Sequence, residues 1–353
     1  MNRPVAILIS DVHYSLTTLE LADNAMRQAI AKANELKVPL IVAGDLHDTK
    51  ANLRAECTNR MIETFDLLTQ NAYILVGNHD KINEKSDTNA LNFLYKNSRD
   101  ANDNYYNGGT EAEPGRDIIA SSRFTNDIAI NGMSLQFIPY QHNPDELRKR
   151  LKKIDKGSTI ICHQGLEGSN SGEYIQDKSA INYQDVAGMR IISGHYHTRQ
   201  TIALPKMGKW DYIGNPYTLN YGEANDPPKG YQILMSDGSL EFVSTNLRRH
   251  IIFEYIQDDV ARPVPTPNQE DLYWVKAKGS REFLSACTKR FISRILRLDI
   301  DFKLTLEPTD LNITALSKTL TSSELLDSLI DSIDNTPETK DRLKSTWKSL
   351  CES

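Results

Sequence analysis

Cysteine is scarce in this 353-residue chain, and Cys57, Cys162, Cys287 and Cys351 are scattered with no CxxC pair among them. That pattern excludes a zinc ribbon and predicts free thiols in a reducing compartment. Long hydrophobic runs are missing too: none approaches the ~18 residues that a bilayer span requires, so no membrane association is expected. The N-terminus runs almost at once into the apolar stretch VAILIS. No signal or transit peptide is therefore expected, and the predicted location is cytoplasmic. Nor is there an excess of positive charge, since 41 Lys and Arg against 47 Asp and Glu leave a net charge of −6. This excludes a strong overall field for nucleic acid, although a local basic strip or bound cations can supply the same attraction. The phosphate-cradling pattern GxxxxGK[ST] is also lacking, so a P-loop nucleotide site is not expected in this chain.

What the chain does have is five short clusters of His, Asp and Asn in its first 200 residues. They are Asp11-Val12-His13, Gly44-Asp45-Leu46-His47-Asp48, Gly77-Asn78-His79-Asp80, Cys162-His163 and Gly194-His195-Tyr196-His197. Each follows an apolar, β-prone run, as buried parallel strands do when both faces are covered. Polar residues at the ends of such strands lie at the rim of the sheet, where α/β proteins place their sites. Asp11 and His13 are two apart, and an extended strand end would point both the same way. His195 and His197 repeat that spacing. Two carboxylates, several imidazoles and an amide oxygen suit two first-row divalent ions (Mn2+, Fe2+ or Zn2+) better than Ca2+. With no thiolate among them, a closed structural zinc site is disfavoured.

The surrounding pattern is β-α-β-α-β: strand Val5–Ile9, helix Thr17–Leu36, strand Pro39–Ala43, helix Leu53–Leu68 and strand Tyr73–Val76. That alternation predicts a parallel sheet. A helix near Ala90–Tyr95 and a polar, Gly/Asn-rich loop over 98–118 follow. Next come strand Leu135–Pro139, a basic helix Pro144–Lys153 and strand Thr159–Cys162. Short antiparallel strands run from His197 to about residue 256, and RPVPTP at 262–267 is the expected domain boundary. Beyond it, strand Leu272–Ala277, helix Ser280–Leu296 and strand Leu298–Leu306 form a small second domain. Thr321 and Glu324 give a capping-box signal for C-terminal helices. The expected domains are 1–260, 268–310 and 320–353.

The order D-x-H, G-D-x-x-D, G-N-H-D, H, G-H-x-H across residues 5–197 resembles the signature of calcineurin-like metallophosphoesterases. The protein-phosphatase branch carries GDxVDRG and GNHE, whereas here Thr49-Lys50 follow Asp48 and the third block ends in Asp80. The stretch Tyr212-Ile213-Gly214-Asn215-Pro216-Tyr217, with Tyr221-Gly222-Glu223 and Lys229-Gly230-Tyr231, is similar to that of SbcD-type exonuclease subunits, with Asn215 where Ser is usual. Those subunits pair with an SMC-like coiled-coil ATPase, and bacteriophages encode compact versions, which would act in the host cytoplasm.

The resemblance implies a four-layer α-β-β-α metallophosphoesterase sandwich, with a small α+β capping domain and C-terminal helices. It implies that Asp11, His13 and His197 hold one metal, that Asn78, His163 and His195 hold the other, and that Asp45 bridges them. Two such cations, with Mn2+ first and Mg2+, Fe2+ or Zn2+ as alternatives, would acidify a water for in-line attack on phosphorus. His79 would contact the phosphate and help expel the leaving alkoxide, and Asp80 would orient its imidazole. The implied activity is that of a DNA nuclease, a 3′→5′ exonuclease and single-strand endonuclease that dimerises and pairs with an SbcC-like ATPase. A phosphoesterase for nucleotides, cyclic nucleotides or phosphoproteins is the alternative, and a metal-free scaffold is a third reading.

Other residues carry plainer expectations. His47 is read as structural, Asp48 as a helix cap or an acid behind the ligands, and His142 and His250 as surface histidines. The basic run Arg148, Lys149, Arg150, Lys152, Lys153 and Lys156 fits DNA phosphates and a solvated helix face equally well. Tyr105 and Tyr106 are read as a surface loop in preference to a lid. The C-terminal apolar stripe either packs on its own domain or, as the SbcD-type resemblance implies, binds the ATPase.

Overall fold

The computed structural model describes residues 2–48, 52–83, 85–86, 88–91, 93–94, 118–121 (backbone), 127–155, 157–170, 179–257, 268, 270–296, 300–309, 330, 336 and 339–345. Lys156, the loop with Tyr105 and Tyr106, the connector 262–267 and nearly all of the C-terminal helices lie outside the described residues. The chain divides into two compact units, Met1–Ile252 with Asn268–Leu272 and Phe253–Pro267 with Tyr273–Ser353.

The first unit is built on two six-stranded sheets. The strands are β1 (Pro4–Ile9), β2 (Leu40–Val42), β3 (Ala72–Leu75), β4 (Ile118–Ser121), β5 (Ile128–Ile130), β6 (Met133–Ile138), β7 (Thr159–His163), β8 (Arg190–Gly194), β9 (Gln200–Leu204), β10 (Gly208–Tyr212), β11 (Gly230–Met235) and β12 (Leu240–Ser244). One sheet runs β12-β11-β1-β2-β3-β4 and the other β5-β6-β7-β8-β10-β9. Strands β1 to β4 are mutually parallel, as are β6, β7, β8 and β10.

Strand periodicity explains the layering. Leu8, Ile41, Tyr73 and Leu75 of the first sheet and Leu135, Phe137, Ile161 and Ile192 of the second share one buried cluster. The Tyr73 and Phe137 rings stack there with centroids 5.3 Å apart. The alternate residues Ile7, Ile9, Leu40, Val42 and Ile74 face helices α1 (Leu19–Leu36) and α2 (Ala55–Phe65). On the far side, Ile160, Cys162 and Ile191 pack with Leu147 and Leu151 of α3 (Pro144–Leu151). These are the four layers of a metallophosphoesterase sandwich, and they account for strands that are apolar on both faces.

Helix α1 buries Ala22, Ala25, Met26, Ala29, Ile30 and Ala33 as one stripe. It is tied to α2 by Asp23, whose carboxylate accepts from Arg27 Nε at 2.8 Å, from Arg60 at 3.1 Å and from the Thr64 hydroxyl. Asn143 caps α3 by accepting from Asp145 N at 3.0 Å, with Pro144 in the first turn. The described part of 90–95 holds turns rather than the expected α-helix.

A three-stranded sheet, most of it in the second unit, has the order β13 (His250–Ile256), β14 (Leu272–Gly279), β15 (Phe302–Pro308). β14 and β15 are parallel. Their connection is two short helices, α4 (Arg281–Ala286) and α5 (Lys289–Leu296), where the spacing predicts one. Both helices are locally capped: Ser280 accepts from Phe283 N, and Thr288 Oγ1 from Phe291 N, each at 3.2 Å. A hydroxyl that satisfies N–H groups at position 288 starts a new helix there. No helix among the described residues is long and apolar enough to cross a membrane.

Candidate metal centre

All five clusters meet where the C-terminal ends of β1, β2 and β3 face those of β7 and β8. The backbone arrives there in an unusual way. Asp11, His13, Asp45 and His195 all adopt positive φ, at 53°, 51°, 51° and 84°. That conformation is costly for non-glycine residues, and it concentrates at functional sites. Asp11 and His13 therefore do not share a face by strand alternation, because β1 has ended at Ile9 and each residue sits in a left-handed turn. The turns are held by a ladder that continues past the strand ends: Asp11 N donates to Gly44 O, His13 N to Asp45 O and Tyr14 N to Leu46 O, at 3.0, 3.0 and 2.9 Å. Gly77 is required by close approach, since a Cβ there would lie 2.1 Å from Asp45 Oδ1.

Two groups of donors result. In the first, Asp11, His13 and His197 bring their ligand atoms within 4.8 Å of one another. His13 Nδ1 lies 3.1 Å from Asp48 Oδ1, and His197 Nδ1 lies 2.8 Å from Glu223 Oε1. Carboxylates only accept, so both Nδ1 atoms carry protons. The two Nε2 atoms then face each other at 3.1 Å. That approach needs a positive centre between the rings. It is either a proton on one of them (burial would lower His197, but Glu223 and Asp11 raise it) or a metal ion shared with the nearby carboxylate oxygens, among them Asp11 Oδ1, 4.0 Å from His197 Nε2. In the second group, Asp45, His163 and His195 converge equally closely. His163 donates from Nδ1 to Ala43 O at 2.7 Å, which turns Nε2 toward Asp45 Oδ2 at 3.2 Å and Asn78 Oδ1 at 3.0 Å. Asn78 Oδ1 also lies 2.9 Å from His195 Nδ1. Asp45 stands between the groups, with Oδ2 4.0 Å from His13 Nε2. Nitrogen and oxygen donors in two converging sets, with no thiolate, fit a pair of divalent ions.

A family model described as calcineurin-like phosphoesterase matches residues 5–199, which include all five clusters. The chain belongs to the calcineurin-like phosphoesterase family. "Putative phosphoesterase 244L" of Invertebrate iridescent virus 6 is 24% identical over 233 residues, covering 64% of this chain and 74% of that protein. Two solved structures also align, each with a TM-score of 0.37. A dimetal phosphatase from Danio rerio does so at 10% identity over 68% of this chain and 98% of its own. A hypothetical protein from Thermus thermophilus does so at 16% identity over 69% and 97%.

In this calcineurin-like phosphoesterase the donors are graded by depth. Asp11, His13, Asp45 and His163 form a buried floor, while Asn78, His195 and His197 are partly open. His79 stands at the mouth with 35% of its side chain exposed, edge-on to His13 with ring centroids 4.8 Å apart. Its Nδ1 lies 2.9 Å from the Asp48 carbonyl oxygen and 3.6 Å from Asp48 Oδ1. Asp80 does not orient this ring, contrary to expectation. Its buried carboxylate accepts from His47 N and Gly77 N, both at 2.8 Å, and so ties the second cluster to the third. Asp48, not Asp80, is the acid beside His79, and it caps no helix, because α2 begins after Arg54. His47 is buried beside Tyr14 in a single parallel bridge, as a structural residue would be.

Burial opposes charge throughout the floor, and neighbours decide the outcome. Burial would raise Asp45, but the charge and hydrogen bond of His163, with His79 and His13, hold it well below the usual carboxylate range. Burial would likewise lower His163, and the Asp45 charge instead pushes it up. At Asp80 the compensation falls short. Burial and the Asp45 charge push it up, against its two backbone N–H bonds.

The matched clusters leave out one assembly at the site. Glu223, Asn215 and Lys229 lie beyond residue 199 yet wrap His197, and only the likeness of 212–231 to one branch hinted at them. Glu223 Oε2 accepts from Asn215 Nδ2 at 2.8 Å and from Leu219 N at 3.1 Å. Lys229 Nζ donates to His197 O at 3.0 Å and to Asn215 Oδ1. Burial would raise Glu223, but His197, Lys229 and Asn215 bring it down to about 2. His250, expected at the surface, is buried, with Nδ1 2.9 Å from Thr218 Oγ1 and its ring edge-on to Tyr221. On α3, Arg148 is committed to Asp185 at 2.7 Å and Asp145 at 2.8 Å, whereas Lys149, Lys152 and Lys153 are not buried.

Proposed function

We propose that the chain is a two-metal phosphodiesterase acting on DNA, the nuclease partner of an SMC-like ATPase. The observation that carries this reading is the path of residues 213–229. The Asn215, Glu223 and Lys229 positions, by which the chain resembles SbcD-type subunits, form the wall behind His197. A segment on a remote loop would carry no such weight.

In this reading Asp11, His13 and His197 hold one ion, Asn78, His163 and His195 hold the other, and Asp45 serves both. The bound ions, Mn2+ by preference, supply an activated water and neutralise charge on the phosphoryl oxygens. The protein does the rest. Asp48 O accepts from Nδ1 of His79, so Nε2 is the nitrogen left for proton transfer to a departing 3′ oxygen. Asp48 Oδ1 fixes the His13 tautomer, and Glu223 that of His197. The buried floor excludes bulk water beneath the reacting phosphate, while the open mouth at His79 admits a chain. Lys149, Lys152 and Lys153, on the surface of α3 and just after it, are available to the DNA backbone. Homodimerisation, and ATPase binding by the C-terminal segment, belong to the same proposal.

The test is cleavage by the full-length chain with Mn2+ on end-labelled single- and double-stranded DNA, set against small phosphomonoesters and phosphopeptides. Release of nucleotides from 3′ ends, with nicking of circular single strands, is expected. Fast turnover of the small phosphoesters with intact DNA would replace the reading with the nucleotide or phosphoprotein alternative.

A further inference from the structure

We propose that Glu223 is a positioning residue for the metal subsite of Asp11, His13 and His197, and sets the affinity of that subsite independently of the other. The inference rests on the two-ion reading of the site. It starts from how the two oxygens of Glu223 are engaged. Oε2 is saturated by Asn215 Nδ2 at 2.8 Å, Leu219 N at 3.1 Å and Lys229 Nζ at 3.3 Å. Oε1 is thereby left to one task, the hydrogen bond to His197 Nδ1 at 2.8 Å. The same assembly also holds the main chain of His197, whose carbonyl accepts from Lys229 Nζ at 3.0 Å and from Asn215 N at 3.2 Å. Ring and backbone of a single ligand are therefore fixed from one side, with an anion behind the ring.

Such a carboxylate makes the far nitrogen a stronger donor and locks its direction. Nothing comparable backs His163, whose Nδ1 donates to a neutral carbonyl, Ala43 O. Losing the Glu223 charge should therefore weaken one ion and spare the other. Glu223→Gln is the informative substitution because it keeps the shape. An amide cannot serve both sides: with its oxygen toward His197, its NH2 would face the Asn215 and Leu219 donors, and turned round it would face the His197 N–H.

The experiment is calorimetric titration of the metal-stripped full-length chain with Mn2+, with electron paramagnetic resonance to count bound ions and thermal unfolding to check the fold. Wild type should bind two ions. Glu223→Gln should bind one with ~10–100-fold lower affinity and the other unchanged. Two unchanged affinities, or equal weakening of both with a fallen melting temperature, would overturn the proposal. Should Glu223→Gln not fold, Asn215→Ala keeps the carboxylate and removes a donor to Oε2. A selective loss at one ion in that variant supports the brace, and no change at either ion overturns it. Fewer than two ions on wild type would instead remove the two-ion reading, and this inference with it.

Discussion

The two halves of the metal centre are built by different means. On the Asn78–His163–His195 side the imidazole of His163 is oriented by the main chain, through Ala43 O, and every donor lies within the matched clusters. On the Asp11–His13–His197 side both imidazoles are backed by carboxylates, Asp48 and Glu223, and the second comes from beyond the matched region. The first half is fixed by strand ends that the family pattern itself supplies. The second depends on a loop, so residues outside the family pattern reach the ring of His197 through Glu223.

Asp45, common to both halves, should show the largest effect. Asp45→Asn removes the charge shared by the two subsites and leaves His163 buried beside a neutral amide. Both ions should be lost, with cleavage at background, as metal analysis and activity would read. Retention of one tight ion would mean that the halves are independent even at their junction.

His79→Ala comes next. It should lower kcat by roughly 10²–10⁴-fold while both ions still bind, because His79 lies at the mouth and holds neither group together. Unchanged kcat would remove it from the chemistry. Asp80→Asn separates the two readings of that residue. An amide cannot accept from both His47 N and Gly77 N, so the protein should lose about 1–3 kcal/mol of stability in denaturant unfolding. A catalytic orienting role would instead cut kcat with stability intact.

The last effect lies away from the site and leaves its function untouched. Asp23 is held below the usual carboxylate range: burial would raise it, but Thr64, Arg27 and Arg60 outweigh burial. A depressed folded-state pKa contributes stability that is present above the unfolded value of about 3.9 and lost as pH falls through the folded one. Asp23→Asn should therefore cost about 1–3 kcal/mol near neutrality and flatten the acid limb of the stability profile, with metal binding unaffected.

The parallel strands were legible in the sequence because covered strands are continuously apolar, and the five clusters lie just past strand ends; the four-layer sandwich followed from the family resemblance. The pairing of Asp11 with His13 was anticipated for the wrong reason: positive φ at each residue aims them, and spacing carries no sign of that. Asp80 was misassigned because proximity to His79 in sequence says nothing about where a carboxylate finds N–H donors. Glu223 was hinted at by the likeness of 212–231 alone, because it reaches His197 from 26 positions away through a 3-10 turn, with no period to betray it. His250 was read as a surface residue because the Thr218 and Tyr221 contacts that bury it come from a distant stretch of chain and leave no local pattern. The break between α4 and α5 rests on one hydroxyl, Thr288, in an otherwise helical pattern.

The most direct test of the central claim is a crystal structure of the full-length chain grown with Mn2+ and phased on its anomalous signal. The account predicts two peaks, one against Asp11, His13 and His197 and the other against Asn78, His163 and His195, with Asp45 touching both. A single peak, or an ion seated instead on His13, Asp48 and His79, would contradict it.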